Sequence, residues 1–171
     1  MDKIKSAYFA GGCFWCMEYA FDHTDGVVGS FSGYGGGELN NPTYTNHEGH
    51  KEMIKVDYDL TKLNYTNILD IYWKNIDPTD AGGQFYDRGP SYTTVIYYST
   101  ESEKLIAEES KKELIESGRF TKPIVTEILP FKNFYIAEDY HQKYYKKNPI
   151  RYTSYKVGSG RDIFKKENWE I

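Results

Sequence analysis

The segment SAYFAGGCFWCMEYAFDH, residues 6–23, decides the fold. Ser6 to Ala10 is short and apolar and reads as a strand, and Gly11-Gly12 supplies a turn. From Cys13 to His23 the spacing is helical, with Phe14, Met17 and Phe21 on one face and Trp15 and Tyr19 beside it. Working outward, Val27 to Ser32 reads as a strand, 34–50 (YGGGELNNPTYTNHEGH) as a long loop, and Lys51 to Asp59 as an alternating strand. Tyr65 to Asn75 is a helix, followed by the irregular stretch DPTDAGGQFYDRGP and a β-branched, aromatic strand from Ser91 to Tyr98. Thr100 with Glu103 forms a capping box that opens a charged helix, and Gly118 closes it. Ile124 to Leu129 reads as a further strand, Phe134 to Lys147 as a last helix, and the residues after Pro149 as a polar tail without a strong period. The order βαββαβ plus additions predicts an α+β fold in one domain over residues 1–171. Its expected form is a ferredoxin-like two-layer sandwich, a mixed sheet with helices on one face and an irregular C-terminal tail.

Composition narrows the function classes. A chain that is 39% hydrophobic can build a packed core, which argues against disorder. Twenty-one basic against 25 acidic residues leave a net charge of −4, so no basic face for nucleic acid is expected. No apolar run approaches the roughly 18 residues of a membrane span, and no membrane partner is expected. Residues 1–13 faintly imitate a leader, but the apolar stretch is interrupted and at the bottom of the roughly 7–15 residues a leader needs. The expectation is a cytoplasmic monomer. Two cysteines do not make a disulfide scaffold. The 17 tyrosines bring apolar area together with a hydroxyl, which suits a site that grips a small group with a polar tip.

Cys13 and Cys16 carry the chemistry. Cys13 falls where a helix begins, and the unpaired N–H groups there favour a thiolate, the reactive form of the side chain. Cys16 lies one turn on; Cβ atoms three residues apart on a helix are about 5–6 Å apart, whereas a disulfide wants about 3.5–4.5 Å. A bond between them requires the first turn to distort, and strained disulfides are the easily reduced ones. Two packed thiols, a zinc site with His47 and His50, and a thioredoxin-like disulfide exchanger all remain open on spacing alone. The Phe14-Trp15 pair between the cysteines favours a pocket for a soft apolar group over a site open to protein disulfides.

Five ordered motifs, GCFWC at 12–16, GYGGG at 33–37, NPTY at 41–44, GHKE at 49–52 and AEDYHQKYY at 137–145, resemble those of the A-type peptide methionine sulfoxide reductases. Such enzymes restore one epimer of methionine sulfoxide. The resemblance implies Cys13 as nucleophile, Phe14 and Trp15 as the pocket for the S-methyl group, and Glu52 as the acid that protonates the sulfoxide oxygen. It further implies Tyr44 and Tyr144 as hydrogen-bonding hydroxyls and Asp139 as the group that binds the substrate backbone and orders the site. Thioredoxin is the implied reductant, and no metal or organic cofactor is implied. Many relatives carry a resolving cysteine in the tail, but residues 150–171 hold none, so Cys16 is the internal candidate. The sequence also offers a check on Glu52: alternation in Lys51–Tyr58 puts it on the face of Ile54, Val56 and Tyr58, where it is either an edge residue reaching solvent or a buried acid with a raised pKa.

Overall fold

The computed structural model describes residues 3–170. Strand β1 (Ile4–Gly11) leads into helix α1 (Phe14–Asp22), followed by β2 (Val27–Gly35), β3 (Lys51–Asp59) and α2 (Tyr65–Lys74). A two-residue hairpin, β4 (Gly83–Gln84) and β5 (Asp87–Arg88), and a 3-10 turn over Pro90–Tyr92 precede β6 (Thr94–Tyr98). Helix α3 (Glu101–Glu116) is followed by β7 (Glu127–Pro130), β8 (Tyr135–Ile136), α4 (Tyr144–Lys147), α5 (Pro149–Ser159) and α6 (Arg161–Trp169).

The main sheet has the order β7-β6-β1-β3-β2-β8. Its inner four strands pair antiparallel, whereas β6 and β7 run parallel. With β1, β2, β3 and β6 as the four strands of the βαββαβ unit, this is the ferredoxin-like order, and the sheet is mixed as expected. Alternation along β1 and β3 puts Phe9, Ile54, Val56 and Tyr58 against Met17 and Phe21 of α1 and Ile68, Leu69 and Tyr72 of α2. On the opposite face Ala10, Met53, Val95 and Tyr97 form a second cluster under Phe131 and Phe134. Cys13 is the N-cap of α1, one residue earlier than its first helical residue. Thr100 caps the helix as expected, its hydroxyl accepting the Glu103 N–H at 3.1 Å, but the return half of the box is displaced by one residue, since the Glu103 carboxylate accepts the Ser99 N–H at 2.7 Å rather than that of Thr100.

Two expectations at the C-terminal end are corrected. Phe134 to Lys147 is not one helix. Tyr135 and Ile136 extend the sheet beside Gly33 and Tyr34, Asp139–His141 is a 3-10 turn, and Lys143 takes a left-handed φ of 53° that confines the helix to Tyr144–Lys147. The tail is not irregular: Pro149 starts α5 in its first turn, Gly160 with φ 82° ends it, and α6 follows. Tyr152 seats α5, and Arg161 with the rings of Phe164 and Trp169, both packed on Phe120, seats α6; the period of α6 is present, although its buried residue is an arginine.

Candidate active site

The turn from β1 to α1 places the cysteines. Gly12 has φ 82°, and a Cβ there would lie 2.5 Å from Cβ of Gln84, so glycine lets the β4–β5 hairpin pack against the turn. Gln84 is itself buried and grips Asp77 through its N–H and carbonyl, each at 2.8 Å. Arg88 pairs with Asp80 at 2.5 and 2.8 Å, which closes the same loop. The hairpin thereby brings Asp87, and the following 3-10 turn brings Tyr92, to the start of α1. A narrow cavity there is lined by Cys13, Phe14, Trp15, Tyr44, Glu52, Asp87 and Tyr92.

Glu52 is the buried acid, 2% exposed. Its Oε1 accepts the Phe14 N–H at 3.1 Å, one of the orphan donors of the helix start. Burial pushes its carboxyl up to about 8, with the Asp87 charge adding to that, while the Phe14 N–H and the Tyr92 hydroxyl oppose it. The carboxyl is therefore mostly protonated at neutral pH. Burial also raises Tyr44 and Tyr92 above the ordinary phenol range, so both hydroxyls keep their protons.

Cys13 does not behave as its helix-start position predicts. Burial holds its thiol well above the usual value, and the neighbouring Cys16 and Glu52 push the same way. The first helical N–H is already occupied by Glu52, so the helix dipole is outweighed. Cys16, also buried, is lowered to about 7: the Cys13 thiol donates toward its sulfur, and Arg161, the Tyr152 hydroxyl and Lys156 favour its anion against burial. The two cysteines share one buried cluster with Tyr144 and Tyr152, Cys13 just outside the helix and Cys16 in its first turn.

Five of the expected residues, Cys13, Phe14, Trp15, Tyr44 and Glu52, meet in the cavity, and Cys16 lies next to Cys13. Tyr144 and Asp139 do not. Tyr144 stacks on Trp15 at 3.9 Å between ring centroids, outside the cavity lining, and Asp139 is exposed and pairs with Lys147 at 3.4 Å. The positions their motif supplies are others. Glu138 accepts from the Tyr44 N–H at 3.0 Å and the Tyr34 hydroxyl at 2.9 Å, which ties the loop bearing Tyr44 to the sheet edge. His141 accepts the Trp15 indole N–H at 3.0 Å on Nδ1, and burial lowers its pKa, in keeping with a neutral ring. Asp87 and Tyr92 went unread because both belong to an irregular stretch of hairpin and turn; the length of that stretch was the available signal.

The segment is locked to α1 from behind. Glu18, fully buried and raised by burial to about 7, accepts the Lys143 N–H, while Lys143 Nζ lies 2.6 Å from Asp22. His47 and His50 stay away from the cysteines: His47 stacks on Tyr34, and His50 uses both ring nitrogens on the Gly37 N–H and the Leu39 carbonyl. Among the described residues no three His, Cys, Asp or Glu side chains form a metal-holding group, and no helix is long and apolar enough to cross a membrane.

A family model described as "Peptide methionine sulfoxide reductase" matches residues 5–171. The chain belongs to that family. It is 50% identical to the peptide methionine sulfoxide reductase MsrA of Bacillus licheniformis over 98% of its own length and 95% of the relative's. It is 52% identical to MsrA 2 of Staphylococcus aureus strain MW2, covering 95% and 94% of the two chains. Among solved structures, the reduced form of Mxr1 from Saccharomyces cerevisiae superposes with a TM-score of 0.79 at 28% identity, over 86% of this chain and 87% of that one. These relatives support the A type within the family, as the motifs implied.

Proposed function

We propose that the chain reduces the S epimer of methionine sulfoxide, peptide-bound or free, by a cycle in which the Cys13 thiol, deprotonated as it attacks, passes through sulfenic acid and disulfide. Family membership makes the chain a methionine sulfoxide reductase, an oxidoreductase. The observation that carries the finer reading is a buried, proton-bearing Glu52 in the same cavity as the Cys13 thiol.

Sulfur in a sulfoxide is electrophilic, but its oxygen departs only if it is protonated. Glu52 gives that proton, and the hydroxyls of Tyr44 and Tyr92 stabilise the oxygen as it becomes hydroxyl-like. The Cys13 sulfur forms a bond to the substrate sulfur as the thiol proton leaves and restores Glu52. The oxygen passes to Cys13, so thiol plus sulfoxide become sulfenic acid plus methionine, with two electrons moved to the substrate. The rings of Phe14 and Trp15 take the S-methyl group. Trp15 is held for that task by its bond to His141 and its stack on Tyr144, which gives Tyr144 a positioning role.

Cys16 then condenses with the sulfenic acid, giving a Cys13–Cys16 disulfide and water. Cys13 is the N-cap rather than a helical residue, which supports closing this bond with little unwinding of the first turn. A dithiol protein of the thioredoxin class, in a cytoplasmic setting, resets the pair by exchange. The runner-up reading, a general disulfide oxidoreductase, is disfavoured because the rings of Phe14 and Trp15 and the carboxyl of Glu52 line the cavity at Cys13, a lining suited to a small group with an apolar and a polar end.

Mass spectrometry after one equivalent of methionine sulfoxide tests the cycle. The expected product is one methionine per chain and a protein lacking two hydrogens, with Cys13 and Cys16 joined. A persistent sulfenic acid with Cys16 still free would remove Cys16 from the cycle. Use of resolved epimers tests the stereochemistry: the R epimer is expected to give no methionine.

A further inference from the structure

Cys13 and Cys16 open onto different cavities. Behind the active site, α1, the end of α2 and the start of α6 enclose a space of about 270 Å³ whose wall includes Cys16 but not Cys13. Four lysine and arginine side chains, Lys74, Lys156, Arg161 and Lys165, line it together with His23, against a single acid, Asp162. Asp162 pairs with Lys156 at 3.4 Å, and Asp70 pairs with Lys74 at 2.8 Å outside the lining.

Arg161 is the informative member. It is 5% exposed, and its guanidinium is satisfied by neutral groups: the Asn75 carbonyl at 2.6 Å, the Gly11 carbonyl at 3.3 Å, and the Phe85 ring at 4.7 Å. Among the described residues no carboxylate pairs with it. A buried cation without an anion is costly, and it makes this wall a place where negative charge is stabilised. A space of this size accepts a molecule of one or two amino-acid residues, not a folded protein. Cys16 is 4% exposed, so a protein thiol would reach it only after α1 or α6 moved.

We propose that this basic cavity admits an anionic low-molecular-weight thiol that reduces the Cys13–Cys16 disulfide at Cys16, a second route of reset beside the protein dithiol. The inference rests on the cycle proposed above. A thiolate attacks the Cys16 sulfur, the S–S bond breaks, and Cys13 leaves and takes up a proton, which its burial favours. A second thiolate then attacks the outer sulfur of the mixed disulfide. The products are the oxidised small disulfide and a Cys16 thiolate facing Arg161, the two thiolates having given two electrons. The carboxylate of the small thiol meets Lys74 and Lys165 at the wall.

The experiment uses the full chain oxidised by one equivalent of methionine sulfoxide, with the disulfide verified by mass spectrometry before any thiol is added. Mercaptosuccinate, 2-mercaptoethanol and cysteamine are then compared at matched thiolate concentration, and the return of both cysteines is timed by quenched alkylation. Mercaptosuccinate is expected to act at least about tenfold faster than cysteamine at low salt, with the neutral thiol between them. Raising the salt, or substituting Lys74→Gln with Lys165→Gln, should bring the ratio toward one. Equal rates for the three thiols overturn the site, as does a preference indifferent to both substitutions, or reset by a protein dithiol alone. If the disulfide never appears after substrate, the underlying cycle fails first, and that failure is visible before the comparison of thiols begins.

Discussion

The two sides of the first turn of α1 hold their sulfurs in opposite electrostatic surroundings. On the Cys13 side the cavity contains two carboxyls, Glu52 and Asp87, two tyrosines and no cation. On the Cys16 side it contains four cations and one carboxylate. Burial is common to both, since each cysteine is 4% exposed. Desolvation alone favours neutral forms, so Cys13 stays a thiol and Glu52 an acid; where the Cys13 thiol serves as donor and Arg161 and Lys156 are added, the anion is favoured and Cys16 falls to about 7. Sulfurs one helical turn apart can thus be given separate tasks by what packs around them. The side poised to protonate an oxygen is acidic and uncharged, and the side poised to resolve the sulfenic acid is basic.

The sharpest way to break this contrast is to keep the shape of Glu52 and remove its proton. Glu52→Gln can still accept the Phe14 N–H, but it cannot protonate the sulfoxide oxygen. Methionine formation in the first turnover is expected to slow by about 10²–10⁴-fold, measured by rapid quench. A variant with undiminished first-turnover rate would remove Glu52 from the chemistry.

The same substitution carries a stability signature of opposite direction. The folded-state value of Glu52, about 8, lies above its ordinary value of 4.5. Such a group supports the fold fully below its unfolded value, and that support is lost as pH rises from about 4.5 through about 8. Wild type should therefore weaken toward pH 9, and Glu52→Gln should lack this part of the loss, standing roughly 2–4 kcal/mol above wild type in urea unfolding at pH 9. First-turnover activity of wild type should fall only as pH passes through about 8, where the folded carboxyl loses its proton. A stability difference between the two proteins that does not change from pH 5 to pH 9 would mean that Glu52 titrates normally.

How much of this was legible depended on whether local pattern and tertiary environment agreed. From residue 6 to residue 59 they did: Phe9, Met17, Phe21, Ile54 and Val56 fall where periods of two and 3.6 put them, and they meet in one core. The Glu52 choice between solvent and burial was posed by alternation, but only the packing of α1 over the end of β3 decided it. Beyond residue 80 agreement fails. The β4–β5 hairpin has two residues per strand, too few to show a period, and it delivers Asp87. Residues 134–147 carry helical spacing, yet backbone pairing to β2 and the left-handed Lys143 prevail over it. The tail was misread because Arg161, a residue ordinarily assigned to solvent, is the buried residue of α6. The acidity of Cys13 was misjudged for a related reason, since helix position was visible in the sequence and the competing Glu52 bond was not.

The smallest effect probes the Cys16 side alone. Lys156 is partly buried, faces Tyr19 with its ammonium 3.8 Å from the ring centroid, and is one of the cations that hold Cys16 down. In Lys156→Gln the cysteine should titrate at higher pH. For a rise of about one pH unit, the thiolate fraction at pH 7 drops roughly fivefold, but a more basic thiolate is intrinsically about threefold more nucleophilic. The two nearly cancel, so formation of the Cys13–Cys16 disulfide should slow only about twofold. The shift itself is the cleaner readout, and it can be isolated in a Cys13→Ser background, where the serine hydroxyl can still donate toward Cys16. There the pH midpoint of iodoacetamide alkylation should move upward on Lys156→Gln, and high salt should move the parent protein the same way by a smaller amount. A midpoint unmoved by the substitution would leave Arg161 and Tyr152 as the groups that set the acidity of Cys16, and the basic character of this side would then reside in its buried cation rather than in the rim.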